Sequence, residues 1–130
     1  MPFPFLCLLF AFILIYIPRL VVAKAQIDMP EGLDNKTPRD QQTRLSPLGK
    51  RANGAHNNSF EAFAPFAAAV FVAHLGQANP QTSSILAGAF VAARVVYLGL
   101  YLGDLDKLRT MVWLTGFGLT IALFVLPYFR

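Results

Sequence analysis

Three groups of polar residues stand out because the sequence around them is so apolar. Arg94 is the clearest. The run Ile85 to Ala93 before it is apolar or small, and a similar run follows it to Gly103. A guanidinium near the middle of a membrane helix costs about 2.5–3.5 kcal/mol on insertion scales, so such a residue faces the protein interior and has a partner. Tyr97 and Tyr101 follow at i+3 and i+7. At about 100° per residue the three share one narrow stripe of a helix. The stripe has two compatible readings: a site for an anionic ligand, or an interhelical ion pair that fixes packing.

The second group is RANGAHNNSFEAFAPF, residues 51–66. Arg51, Asn57, Asn58 and Glu61 fall within roughly a third of a helix circumference. Glu61 is the expected partner of Arg94, because each lies deep in an apolar segment and each needs an opposite charge. His56 lies about 140° from Arg51 and is expected to be a structural hydrogen-bonding residue rather than a ligand. Asn53 and Ser59 are expected as packing or loop contacts. The third group is Arg109-Thr110, with Trp113 one turn further on. Its bland reading is an interfacial arginine beside an aromatic anchor. Gly116, Gly118 and Thr120 are small enough to let helices approach closely.

Together these residues would place three arginines, a carboxylate, asparagine amides and two tyrosines at one end of a helix bundle. No Ser-His-Asp arrangement, Walker loop, dinucleotide fingerprint or HExxH motif is present. Carboxylates are too few for a metal cage, so no metal is expected. Cys7 is the only cysteine, which excludes an intrachain disulfide and a multi-thiolate metal site. It is expected to be a buried or lipid-facing small hydrophobe.

The elements that must position these groups are membrane helices. The chain has 130 residues, 55% hydrophobic and only 14% charged, where soluble domains carry about 25% charged residues. Ten of its charged residues cluster between Lys24 and Arg51. The net charge of +4 reflects basic cytoplasmic loops rather than nucleic-acid binding, since no basic stripe interleaves with aromatics. The expected fold is an all-α membrane protein, a single domain over 1–130 built as a four-transmembrane-helix bundle. Its helices are expected at about 3–23, 47–76, 84–102 and 108–129. Residues 24–46 read as a polar loop with nothing periodic, punctuated by Pro30, Gly32, Pro38 and Pro47.

The segment 3–23 is expected to be a retained helix. A cleaved signal peptide is the rival, suggested by Ala23-Lys24-Ala25, but no Lys or Arg precedes the apolar run and Pro18-Arg19 interrupts it late. Ser46-Pro47 opens the second helix as N-cap and first helical residue, and Pro65 is expected to kink it. The 24–46 loop is the longest and most basic, so it is expected in the cytoplasm, with the N-terminus outside. The expected location is the bacterial inner membrane or its equivalent.

The pattern RANGAHNNSFEAFAPF, followed about thirty residues later by ARVVYLGLYLGDLDKLRT, resembles the MAPEG family. These are membrane-associated proteins in eicosanoid and glutathione metabolism, including microsomal glutathione transferases. The resemblance covers about residues 46–127. It implies four helices per subunit, a homotrimer, and glutathione bound as co-substrate in a polar cavity between subunits near the cytoplasmic side. Carried over residue by residue, Arg109 is the expected catalytic residue, stabilising the thiolate. Arg51, Asn58, Glu61, Arg94, Tyr97, Tyr101 and Thr110 are the expected glutathione-binding residues. The implied activity is a transferase or peroxidase acting on small hydrophobic electrophiles, with membrane lipids as surroundings and no nucleic acid as partner. The alternative is a non-enzymatic lipid-binding or scaffold protein of the same fold. A transporter-like role is less attractive for four short helices.

Overall fold

The computed structural model describes residues 1–129. Its elements are α1 (Phe3–Ile27), the short α2 (Pro38–Gln42), α3 (Pro47–Leu75), α4 (Pro80–Leu102) and α5 (Asp106–Val125). A 3₁₀ turn, Leu126–Tyr128, follows α5. The four long helices are each long and apolar enough to cross a membrane. Short connections make α3, α4 and α5 run up and down. α3 and α4 contact each other, and both α1 and α5 pack against that pair.

Local chemistry sets the helix starts. Ser46 accepts a hydrogen bond from the Gly49 amide at 3.2 Å, with Pro47 as the first helical residue. Asn79 does the same for α4, accepting from the Thr82 amide at 3.0 Å ahead of Pro80. This Asn-Pro pair starts the helix four residues earlier than expected, at Pro80 instead of 84. The connection to α5 turns at Asp104, whose φ of 61° lies in the left-handed region that Asp tolerates better than most residues. α5 then begins at Asp106, and its last turn tightens into the 3₁₀ form at Pro127.

The main core joins Cys7 and Ala11 of α1 with Phe66, Ala69, Val70 and Ala73 of α3, Ala87 and Phe90 of α4, and Leu123 of α5. Alanines at these positions let the backbones come close, which is how helices gain packing energy in lipid. The Phe66 and Phe90 rings stack across the α3–α4 contact, with centroids 3.8 Å apart and 11° between planes. Cys7 is buried in this core. Outward faces carry large exposed hydrophobics such as Phe10, Ile13, Leu114 and Ile121, as a lipid-facing surface requires.

The polar segment is more ordered than its composition suggests. α1 continues through Lys24, Ala25 and Gln26 to Ile27, stabilised by the exposed Lys24–Asp28 ion pair at 2.7 Å. Residues 38–42 form a helical turn. Gln26 and Gln41 are both fully buried. The Gln26 amide donates to Gln41 Oε1 and to the Pro38 carbonyl, each at 3.1 Å. Arg19 donates to Gln26 Oε1 at 3.2 Å. Gln41 donates to the Gly32 carbonyl at 2.7 Å and accepts from the Asp34 amide at 2.9 Å. Two glutamine side chains thus supply the hydrogen bonds that an irregular backbone needs when it is folded against a helix end.

Candidate functional site

Arg94 lies on the inward face of α4, only 5% exposed. Its Nη1 donates to Asn58 Oδ1 at 2.9 Å and its Nη2 to Ser59 Oγ at 3.2 Å, both on α3. Ser59 in turn donates to the Ala55 carbonyl at 2.8 Å. The guanidinium carbon stands 4.2 Å from the centre of the Tyr97 ring. A buried guanidinium is therefore satisfied by an amide, a hydroxyl and an aromatic face.

The expected Arg94–Glu61 ion pair does not form. The ion pairs among the described residues are Lys24–Asp28, Arg44–Glu31 and Arg44–Asp40, all in or beside the polar segment. Glu61 is exposed on α3. One helical turn separates it from Asn58, and Asn58 takes the place beside Arg94 that charge-matching assigned to Glu61. Both still border a single cavity of about 260 Å³, framed also by Phe90, Trp113 and Phe117. Arg94, Asn58 and Glu61 make its polar wall, and the aromatic residues of α4 and α5 make its apolar wall.

A chain of cation and aromatic contacts leads from Arg94 toward the end of the bundle nearer the polar segment. Tyr97 meets Tyr101 edge to face, with centroids 5.7 Å apart. Arg109, from the first turns of α5, lies over the other side of this arrangement, its guanidinium carbon 4.2 Å from the Tyr101 ring centre. Arg51 donates from Nε to the Leu102 carbonyl at 3.3 Å, which ties α3 to the C-terminal end of α4. Tyr101 reaches this position because Gly54 on α3 has no side chain. A Cβ there would overlap the Tyr101 hydroxyl and come within 2.8 Å of its Cζ.

The structure thus brings Asn58, Glu61, Arg94, Tyr97, Tyr101 and Arg109 into one neighbourhood, with Arg51 at its edge. Thr110 is not part of it: the residue is exposed, and its hydroxyl donates to the Asp106 carbonyl of its own helix at 3.1 Å. Gly54 and Ser59 are essential to the arrangement and carried no distinct signal in the sequence. Gly54 is recognisable only once Tyr101 is placed opposite it. From the sequence alone Ser59 reads only as a packing or loop contact. Gly116 and Thr120 are buried on α5, as close helix approach requires.

His56 is structural, as its place on the helix suggested. Its Nδ1 lies 2.7 Å from the Ile15 carbonyl oxygen of α1. A carbonyl only accepts, so Nδ1 is the donor. The acceptor sits in the turn where Pro18, lacking an N–H, interrupts the helix ladder.

No curated protein and no solved structure matches the chain. The family model described as the MAPEG family matches residues 3–129, nearly its whole length. With four membrane-spanning helices and a buried arginine–tyrosine arrangement between α3, α4 and α5, the chain belongs to the MAPEG family.

Proposed function

We propose that this protein is a membrane-embedded glutathione-dependent transferase or peroxidase acting on hydrophobic electrophiles. Family membership supports a glutathione- or eicosanoid-related role at the level of the family. The observation that carries the finer reading is the cavity itself. Guanidinium, amide and carboxylate groups of Arg94, Asn58 and Glu61 face aromatic surface of Phe90, Trp113 and Phe117 across one cleft. Such a cleft suits a charged peptide thiol on one wall and a lipid-soluble acceptor on the other.

The chemistry follows from charge. A free thiol near its reference pKa of about 8.5 is mostly protonated at neutral pH, and the thiolate is the nucleophile. Arg109, half-buried with its guanidinium over the Tyr101 ring, favours the thiolate. Arg51 and Arg94 complement the substrate carboxylates, and Glu61 complements its ammonium. The protein then supplies proximity and charge stabilisation for attack on the electrophile. The cleft within one chain lies below the usual ligand-pocket range of about 300–1,000 Å³. This fits a homotrimer in which a neighbouring subunit completes it. In this reading the loop 24–46 and the turn at 103–107 lie on the cytoplasmic side, with the N-terminus outside.

The second reading is a non-enzymatic lipid-binding or scaffold protein. It is favoured by Arg94, whose guanidinium is already engaged by Asn58, Ser59 and Tyr97 within the chain. Calorimetric titration of glutathione into detergent-purified protein, followed by a thiol-conjugation assay, separates the two. Saturable binding with conjugation supports the enzyme. Absence of both leaves the non-enzymatic reading.

A further inference from the structure

Another cavity, of about 520 Å³, lies at the end of the bundle away from the polar segment, where α1 begins, α3 ends and α4 begins. Its volume falls within the usual ligand-pocket range of about 300–1,000 Å³. Its apolar walls come from three helices of the same chain: Phe3 and Pro4 of α1, Val70 and Ala73 of α3, and Pro80 of α4. Three polar side chains interrupt them: His74, Gln77 and Ser83. No charged side chain lines the cavity, and none occurs in residues 1–18 or 62–93. An ionised head group would find no counter-charge here, so the lining selects an uncharged ligand.

Ser83 is the informative residue. Three hydroxyls follow one another in the first turn of α4. Thr82 donates to Asn79 Oδ1 at 3.2 Å and Ser84 to the Pro80 carbonyl at 2.8 Å. Ser83, between them, is only 7% exposed, yet its hydroxyl makes no hydrogen bond with any described residue. Its Oγ is not sealed among protein atoms, so it opens into the cavity it lines. Buried hydroxyls without a partner are rare in folded proteins. Gln77 adds a second unused group. It ends α3 in the left-handed region, with φ of 53°, where glycine is the usual residue. The Ala78 amide donates to the Ala73 carbonyl at 2.9 Å to complete this helix end. The Gln77 side-chain amide bonds no described residue. The His74 ring meets Phe5 edge to face, centroids 4.9 Å apart, and its ring nitrogens are likewise unbonded among the described residues.

We propose that this cavity binds a neutral, hydroxyl-bearing lipid. Its alkyl chain lies against Phe3, Val70 and Ala73, and its head hydrogen-bonds to Ser83, Gln77 and His74. A hydroxyl, an amide and an imidazole each offer both a donor and an acceptor, which is what a hydroxyl head needs. The site does not depend on the thiol-transfer reading, since it shares no lining residue with the cleft beside Arg94.

The test is native mass spectrometry of the full chain in mild detergent, titrated with 1-monolauroylglycerol, sodium laurate or dodecane. These carry an uncharged hydroxyl head, a carboxylate and no head on similar chains. Ser83→Ala removes the hydroxyl and breaks no bond within the chain. Gln77→Gly removes the amide and puts glycine at the left-handed position, so this variant should melt at or above the parent temperature. Monolauroylglycerol is expected to bind saturably and about ten-fold or more tighter than laurate or dodecane. Each substitution is expected to weaken it about five-fold, the typical net worth of one neutral hydrogen bond. Laurate binding as tightly would show that the lining does not exclude charge. Dodecane binding as tightly would show that the cavity selects only apolar volume. Either result, or an affinity for monolauroylglycerol that Ser83→Ala leaves unchanged, overturns the proposal.

Discussion

Gly54→Ala tests whether the tyrosine–arginine arrangement is built as described. A methyl group at position 54 would overlap the Tyr101 hydroxyl and stand 2.8 Å from Cζ. Tyr101 is held between the Tyr97 ring and the Arg109 guanidinium, so it has little freedom to retreat. Overpacking of this kind costs about 1–3 kcal/mol. Alanine in a helix interior recovers up to about 1 kcal/mol relative to glycine. The net expectation is a destabilisation of about 1–2 kcal/mol, read as a lower melting temperature in detergent. In a Tyr101→Ala background the clash is absent and only the propensity gain remains, so the same substitution should become neutral or stabilising. The coupling between the two sites should be about 1–3 kcal/mol. Tyr101→Phe should relieve the clash only in part, because Cζ stays. Equal destabilisation by Gly54→Ala in both backgrounds would refute the packing argument.

Other consequences are as direct. Arg94→Ala should destabilise by about 2–4 kcal/mol, since it removes two charge-assisted hydrogen bonds and strands Asn58. Glu61→Gln should stay within about 0.5 kcal/mol of the parent, because no buried partner depends on it. Both are checked by thermal unfolding in detergent. Gln41→Ala leaves the Gly32 carbonyl and the Asp34 amide without a partner and removes one of the two acceptors of the Gln26 amide. It should weaken the loop by about 1–3 kcal/mol and speed proteolysis between residues 28 and 46 by roughly ten-fold or more. The Asp34 carboxylate accepts from the Thr37 hydroxyl and the Thr37 and Lys36 amides, which holds its carboxyl below the usual range. Its folded pKa is depressed, so its contribution is present above the unfolded value of about 3.9 and disappears as pH falls through the folded value. The Thr37 amide resonance should therefore titrate with a midpoint below that value, and Asp34→Asn should abolish the titration.

The bundle was legible because lipid imposes long apolar segments, and the family pattern lies in the residues of α3, α4 and α5 themselves. The stripe of Arg94, Tyr97 and Tyr101 was legible from spacing alone. Its partner was not. Opposite charge pointed to Glu61, but helix rotation brings Asn58 and Ser59 to the guanidinium, and a sequence does not state that rotation. Asn79-Pro80 carries the same start signal as Ser46-Pro47 and was readable, yet the polar composition of residues 76–84 masked it. The order in the polar segment was hidden for another reason. Gln26 and Gln41 are ordinary residues whose burial follows only from the chain folding back on α1. Gly54 reads as a helix-weakening residue until Tyr101 is seen to fill the space.

The central proposal is that Arg109, stacked on Tyr101 in the same neighbourhood as the cleft, activates a peptide thiol bound there. The most direct measurement is the conjugation rate at saturating glutathione with a hydrophobic electrophile, for the parent and for Arg109→Ala. Arg109 stacks on the half-buried Tyr101 ring and lies near the helix start, so the variant should melt within about 1 kcal/mol of the parent. Its conjugation rate should nevertheless fall by roughly 10–1000-fold, the range for losing one preorganised charge stabiliser. A parent protein that neither binds glutathione nor conjugates it, or an Arg109→Ala protein that conjugates at the parent rate, would contradict the account.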